Sequence, residues 1–130
     1  MKNIKVVAAI MINDDNKVFC AQRKDFGELA LKWEFPGGKI EQGETHQQAL
    51  IRELKEELEL DVAVNDFLMT VTYRYTSFHL TMHSYYCSII RGTITLNEHT
   101  QYKWVSLEEL HTLDWAQADI PIVKELIKRG

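Results

Sequence analysis

The segment that most constrains this chain is a pair of adjacent glycines, Gly37 and Gly38, followed closely by a charged, helix-forming stretch. In that stretch Leu50, Leu54 and Leu58 recur at four-residue spacing, which is typical of a helix that buries one stripe. Because the glycines carry no side chains, the backbone of the loop can approach a ligand closely. The sequence therefore predicts a loop that leads into a helix packed against other elements.

Three glutamates of this helix carry like charges at neighbouring positions. Glu53, Glu56 and Glu57 occupy an arc of roughly 100° beside the leucine stripe, and each repulsion weakens an isolated helix by roughly a few tenths of a kcal/mol. Carboxylate oxygens suit Mg²⁺, which completes its shell with water and substrate phosphates. One interpretation is a metal site. The other is an ordinary solvated helix face with opposite-sign pairs such as Arg52–Glu56.

Apolar runs on both sides of this unit are interpreted as strands, and turn residues separate them. Thr45 with Gln48 forms a capping box at the start of the main helix, and Ser106 with Glu109 forms a second one. A turn at 13–16 predicts a hairpin of the first two strands. The predicted strands are 4–12, 17–23, 33–35, 66–76, 78–90, 93–96 and 101–105. With a last helix over 121–128, this order predicts an α/β fold in which a mixed sheet is covered on both faces.

Length and charge narrow the class of protein. The 130 residues predict a single domain, residues 1–130. A net charge of -4 without a stripe of Lys or Arg argues against duplex nucleic acid or a membrane surface as the main partner, whereas a nucleotide remains compatible if a metal supplies positive charge. Cys20 and Cys87 lie in apolar runs and are predicted to be isolated core thiols, with a disulfide left open. Without a secretory or membrane-spanning segment, a cytoplasmic protein is expected.

The order of residues around the helix is more specific than its charge. Gly38, Glu44, the run Arg52-Glu53-Leu54 and the pair Glu56-Glu57 together resemble the Nudix box of the Nudix hydrolase family. One position departs from that pattern, because Glu59 stands where a glycine is expected near the helix end. The segment 33–41 is similar to the MutT branch. The resemblance implies a Nudix-type α/β/α sandwich that hydrolyses nucleoside diphosphate derivatives with Mg²⁺, Mn²⁺ being a possible substitute.

The resemblance also implies roles for the helix residues. Glu53, Glu56 and Glu57 would be metal ligands, with the Gly37 carbonyl beside them. Arg52 would orient the glutamates, chiefly through Glu56. These residues form the catalytic centre that the resemblance predicts.

Residues outside the helix complete that centre. Glu44 would support the junction between loop and helix, and the backbone of Gly38 and the side chain of Lys39 could contact phosphate. Glu98, in a loop before the last predicted strand, is compatible with a further metal ligand or with the base that activates water. A solvated loop glutamate is the alternative for Glu98.

The base of the substrate would be bound elsewhere. By the same resemblance Arg23, Glu34 and Phe35 would flank the nucleotide, although core packing explains Phe35 equally well. Asp119 resembles the base-reading residue of the CTP pyrophosphohydrolase subgroup, and it is also a natural helix N-cap before Pro121. Because a carboxylate only accepts hydrogen bonds, it would prefer cytosine, 5-methylcytosine or an oxidised purine over guanine.

The reaction predicted first is Mg²⁺-dependent cleavage of a nucleoside triphosphate into a monophosphate and pyrophosphate. A nucleotide sugar or a dinucleotide is the alternative substrate, and a nucleotide-binding module without hydrolysis is a third possibility. The protein is expected to be a monomer or a weak dimer. Side chains that could line the mouth of the pocket are Tyr73, Arg74, Tyr75 and Phe78. Histidines interpreted as structural or surface residues are His79, His83, His99 and His111.

Overall fold

The computed structural model describes residues 1–130 as seven strands, two α-helices and two short 3₁₀ helices. The strands are β1 (Lys2–Met11), β2 (Lys17–Arg23), β3 (Trp33–Glu34), β4 (Gly37–Lys39), β5 (Asp61–Arg74), β6 (Phe78–Arg91) and β7 (His99–Ser106). The helices are α1 (His46–Leu58) and α2 (Ile120–Arg129), and the 3₁₀ helices cover Leu107–Thr112 and Gln117–Asp119. None of the helices is both long and apolar enough to cross a membrane.

The strands form two sheets instead of the single one expected. In the larger sheet the order is β4-β1-β6-β5, with β1 parallel to β6 and the other neighbours antiparallel. The smaller, antiparallel sheet has the order β3-β2-β7. The predicted hairpin of the first two strands is wrong, because beyond one isolated bridge between Ile12 and Val18 these strands diverge into different sheets. The turn between them is real, since the Asn13 side chain accepts the Asp15 and Lys17 amides.

Strand alternation builds a core on each side of the sheets. On β1, Val7 and Ala9 pack with the α1 helix, whereas Ala8 and Ile10 pack with the α2 helix. The leucine stripe of α1 is fully buried, as its spacing predicts. The α/β/α sandwich with helices on both faces is therefore confirmed. Cys20 and Cys87 are free and buried in opposite cores, which excludes a disulfide between them.

The ends of α1 fix the geometry of the box. Thr45 caps the helix, and the predicted capping box with Gln48 is present in both directions. At the other end Glu59 adopts a left-handed conformation with φ 57°, and its amide donates to the carbonyls of Leu54 and Lys55. The missing glycine of the box therefore leaves the turn intact, with Glu59 in a conformation that an L-residue adopts at a cost.

Two local predictions near the C-terminal half are wrong. Residues 93–96 form no strand, because the Thr95 amide donates to the Leu58 carbonyl at the end of α1. The helix after Ser106 is present as a 3₁₀ helix, but the Ser106 side chain makes no capping hydrogen bond. In the first place a contact with the end of α1 replaces the predicted strand. In the second a 3₁₀ helix forms without the predicted capping bond.

Candidate active site

The glutamates of α1 face an acidic cavity of about 380 Å³ beside β4, because the two glycines that were predicted in a loop lie in this strand. Glu57 is buried, with 7% of its surface exposed, whereas Glu56 lies at the rim with its side chain 59% exposed. The other residues that line this cavity are Arg23, Lys24, Phe26, Glu34, Gly37, Glu53, Glu98 and His99. The structure thus brings all four predicted carboxylates and Gly37 to one cavity.

Arg52 holds the box together on the rim of this cavity. Its guanidinium donates twice to the Glu44 carboxylate, at 2.7 and 2.9 Å, and once to Glu53 at 2.8 Å. The contact with Glu56 is longer, at 3.3 Å, so the predicted orientation chiefly through Glu56 is wrong. A further bond to the Lys39 carbonyl ties β4 to the helix. These hydrogen bonds from Arg52 lower the pKa of Glu44 to about 2, which keeps the clamp ionised at any ordinary pH.

The glycines leave room that side chains would fill. A Cβ on Gly38 would overlap the carboxylate of Glu53, and a Cβ on Gly37 would overlap the backbone of Val7 on the neighbouring strand. Gly38 therefore allows Glu53 to lie against β4, and Gly37 allows this strand to pair closely with β1. The exposed Lys39 side chain lines the second cavity, described below, and not the acidic one, so its phosphate contact stays a prediction.

The loop before β7 is fastened to the C-terminal end of α1. The backbone amide of Asn97 donates to the Glu57 carbonyl at 3.0 Å, and its side chain donates to the Glu56 carbonyl at 2.8 Å. These bonds satisfy helix carbonyls that would otherwise lack partners. They also bring the next residue, Glu98, to the acidic cavity, where its exposed side chain can reach a ligand.

The carboxylates repel one another strongly inside the cavity. Burial, the adjacent Glu53 and the charges of Glu34 and Glu98 together raise the pKa of Glu57 to about 10, and burial is the largest of these causes. A divalent cation would remove this repulsion, and an all-oxygen donor set is the kind that Mg²⁺ prefers. As the side chains stand, no three acidic or imidazole groups already converge as a ligand set. The residues nevertheless fit a hard cation by their chemistry, and Nudix hydrolases generally depend on a divalent metal.

A second cavity, of about 280 Å³, adjoins the acidic one and is mostly apolar. Arg23, Glu34 and Gly37 line both cavities, so the two are direct neighbours. The other residues that line the apolar cavity are Ile4, Val6, Val7, Ala8, Leu29, Phe35, Gly38, Lys39, Tyr75, Phe78, Leu80, Met82, Ala116 and Asp119. Its size and walls suit a flat ring system.

Of the four aromatic and basic residues predicted at the mouth, the structure separates two from the others. Tyr75 and Phe78 line the apolar cavity, whereas Tyr73 and Arg74 line only a shallow neighbouring cavity. The Tyr75 hydroxyl accepts the amide of Ala118 at 2.8 Å. This bond ties the tip of the β5–β6 pair to the segment that carries the predicted base-reading residue.

Asp119 points into the fold and does not cap the following helix. It is 5% exposed, makes no capping bond to α2, and its Oδ1 accepts the Phe35 amide at 3.1 Å. That is the one hydrogen bond of its side chain within the protein, and the residue lines the apolar cavity. Burial raises the pKa of Asp119 well above its usual range, and the charge of Glu34 adds to that rise. The N-cap interpretation is therefore wrong.

Phe35 serves the core and the cavity together. Its ring is 3% exposed and packs against Trp115 with the ring centroids 4.8 Å apart. The same residue lines the apolar cavity and positions Asp119 through its amide. The two explanations that the sequence left open for Phe35 are therefore compatible.

Three residues of the acidic cavity, Lys24, Phe26 and His99, were not predicted as site residues, and His99 is the buried one among them. Its ring is 3% exposed, and Nε2 lies 2.9 Å from Glu34 Oε2 and 3.9 Å from Glu57 Oε1. Arg23 pairs with the other oxygen of Glu34 at 3.0 Å. The only sequence signal was its position next to Glu98, because histidine spacing alone shows no ligand pattern. The other histidines interpreted as structural or surface residues line neither cavity.

The chemistry of these two cavities suits one class of protein, in which a ligand with a flat ring system and an anionic part is bound together with a cation. The family model of the NUDIX domain matches residues 2–126. The chain therefore belongs to the Nudix family, as the box predicted. With the family, the predicted class of enzyme is confirmed: a hydrolase acting on pyrophosphate bonds.

The chain is similar over nearly its whole length to nucleotide hydrolases. A CTP pyrophosphohydrolase of Escherichia coli (strain K12) is 38% identical over 124 residues, which are 95% of this chain and 91% of that protein. An 8-oxo-dGTP diphosphatase of the same organism is 32% identical over 126 residues, covering 97% and 98%. The solution NMR structure of MutT, of the Nudix hydrolase family, from methicillin-resistant Staphylococcus aureus 252 is 44% identical, with a TM-score of 0.79 over 100% of both chains.

Proposed function

We propose that this protein is a Mg²⁺-dependent nucleoside triphosphate pyrophosphohydrolase that converts a (d)NTP and water into a (d)NMP and pyrophosphate. The observation that supports it most is the junction of the two cavities. The apolar cavity ends at the buried Asp119, and the acidic cavity carries the box glutamates. A base in the first cavity would place its phosphates in the second.

The carboxylates of the acidic cavity would bind the cation and assist the attack of water. Glu53, Glu56, Glu57 and Glu98, with the Gly37 carbonyl, would hold the cation. When bound, Mg²⁺ neutralises phosphate charge and lowers the pKa of an attacking water. Water attacks at the β-phosphorus and the monophosphate leaves; Glu98 has a second candidate role here, as the base that accepts the proton of that water instead of a cation ligand.

The remaining polar residues would bind the nucleotide. Arg23 with Glu34 flanks the nucleoside where the two cavities meet, and Lys39, which lines only the apolar cavity, would reach the phosphates from that side. Arg52 keeps Glu53 in place through the bonds described above. Glu44 in turn holds Arg52.

Asp119 would select the base. With Oδ1 bound to the Phe35 amide, its free oxygen can accept a hydrogen from an exocyclic amino group such as cytosine N4. 8-Oxoguanine carries an N7–H donor, whereas guanine presents acceptors at O6 and N7. The favoured substrates are therefore CTP, dCTP, 5-methyl-dCTP and oxidised purine dNTPs, with plain GTP disfavoured.

A panel of CTP, dCTP, 5-methyl-dCTP, 8-oxo-dGTP and GTP with Mg²⁺ tests this proposal. Pyrophosphate and phosphate release are scored separately, because only cleavage to a monophosphate yields pyrophosphate. Glu53→Gln and Glu57→Gln should abolish turnover while the fold persists. A clear preference for GTP would refute the role of Asp119, and turnover by the glutamine variants would refute the metal site. Release of a sugar phosphate from a nucleotide sugar at a higher kcat/KM would refute the triphosphate.

A further inference from the structure

One acidic side chain in the wall between the two cavities is held by donors from two neighbouring strands. Glu34 stands in this wall, because it lines both cavities. Its two carboxylate oxygens have separate partners, Arg23 on one and His99 on the other, at 3.0 and 2.9 Å. Both donors therefore hold Glu34 in this position.

The direction of the His99 bond follows from its partner. A carboxylate oxygen accepts only, so the hydrogen is assigned to Nε2 in either protonation state of the ring. The other ring nitrogen, Nδ1, is buried without a partner, and so is Nε of Arg23. Buried polar atoms without partners are rare and mark places that packing alone does not explain. Two of them flank Glu34.

An irregularity in the smaller sheet places His99 there. On β2 and β7, Gln22 pairs with Gln101 but the next residue, Arg23, pairs with His99, so that Thr100 is an extra residue. Such bulges redirect side chains and are common next to active sites. Here the bulge brings the two donors of Glu34 side by side on neighbouring strands.

We propose that His99 is a positioning residue that holds Glu34, and through it Arg23, at the boundary between the base cavity and the phosphate cavity. This inference rests on the proposed function. Without the Nε2 donor, Glu34 would keep Arg23 as its only partner. The wall would then shift, and a nucleotide that spans both cavities would lose a fixed surface at the point where its base and phosphates diverge.

Two amide substitutions separate this role from simple packing. His99→Gln carries an N–H at about the position of Nε2, whereas the shorter His99→Asn reaches only the position of Nδ1. We expect the affinity of the glutamine variant for CMP to stay within about threefold of that of wild type. The affinity of the asparagine variant for CMP should fall about 10- to 100-fold, which is the effect expected when a hydrogen bond to a charged group is lost. His111→Gln is the matched control, because His111 is exposed and lines neither cavity.

Three readouts decide the outcome. Calorimetry measures CMP binding to the metal-free protein, steady-state kinetics with CTP separates KM from kcat, and thermal unfolding reports stability. Support requires a loss of CMP affinity and a rise in KM for the asparagine variant, with recovery in the glutamine variant at equal Tm. A long-range ¹H–¹⁵N spectrum should show the Nε2–H form of His99.

The result that overturns the proposal is an asparagine variant that binds CMP as tightly as wild type. Equal losses in both amide variants, in proportion to Tm, would also overturn it, as would an Nδ1–H form. Failure of the proposed function looks different, because wild type itself would then neither bind CMP nor cleave CTP.

Discussion

Replacing Asp119 by asparagine exchanges the hydrogen-bonding character of a single atom in the base cavity. The Phe35 amide, 3.1 Å from Oδ1, must be met by an oxygen. In Asp119→Asn the amide oxygen therefore keeps that position, and the NH₂ group replaces Oδ2 at the cavity. An acceptor becomes a donor at the point where the base is selected.

The expected effect on selectivity follows from the energy of one base contact. A good hydrogen-bonded contact to a base discriminates by about 1–3 kcal/mol, which corresponds to about 5- to 150-fold in kcat/KM. We expect the ratio of kcat/KM for CTP over GTP to fall by that factor in the variant. Pyrophosphate release with each nucleotide measures it, and Asp66→Asn, at an exposed aspartate of β5, is the control. An unchanged ratio in a folded variant would refute the role of Asp119.

The same substitution changes how stability depends on pH. Since the folded pKa of Asp119 is raised by burial and by Glu34, its stabilising contribution is complete below about pH 4 and is lost as the pH rises through the folded pKa. Asparagine does not titrate, so the variant should gain stability over wild type as the pH rises. Protonated Asp119 can donate a hydrogen bond as well as accept one, so it discriminates less between CTP and GTP. The preference of wild type for CTP should therefore increase as the pH rises and Asp119 ionises. Urea unfolding and the CTP-to-GTP ratio at several pH values test both effects.

Three further perturbations follow from the box and the core. Gly38→Ala displaces the Glu53 carboxylate, so it should lower turnover about 10- to 100-fold with little change in Tm. Gly37→Ala meets the Val7 backbone, so it should destabilise the fold by more than about 2 kcal/mol. Equal losses of Tm in the two variants would contradict both expectations. Glu59→Gly relieves the left-handed conformation and should raise the free energy of unfolding by about 0.5–1 kcal/mol in urea, while a loss would show that the side chain matters more. Burial raises the pKa of Cys20 and Cys87 to about 12, so neither thiol should react with a thiol reagent at pH 8 until the protein unfolds, and reaction in the native state would contradict their core positions.

The sequence predicted well what is local to the box. Thr45, Gln48 and the leucine stripe act within a few residues of one another, and the structure has each of them as expected. The family, the α/β/α fold and the class of hydrolase followed from the same segment and are confirmed. The individual roles of the site residues stay predictions, although the cavities bring these residues together.

What the sequence missed depends on partners far along the chain. The first two strands have an ordinary turn between them, but β1 pairs with β6, about 75 residues later, which no local pattern encodes. Asp119 has the local signature of an N-cap, yet its partner is the amide of Phe35. His99 faces Glu34 because of a bulge, and a bulge breaks the alternation from which a side chain's face is inferred.

Glu34 provides the sharpest test of whether binding and chemistry are separable here. Asp119 touches only the base cavity and Glu53 only the acidic one, whereas Glu34 lines both. In Glu34→Gln one amide oxygen remains for two donors, so the NH₂ group faces either Arg23 or His99 and repels it. We expect KM for CTP to rise and kcat to fall, each by about tenfold, while the ratio of CTP to GTP stays unchanged. A change in KM alone would show that the wall serves binding only, and a change in base selectivity would show that Asp119 does not select the base independently.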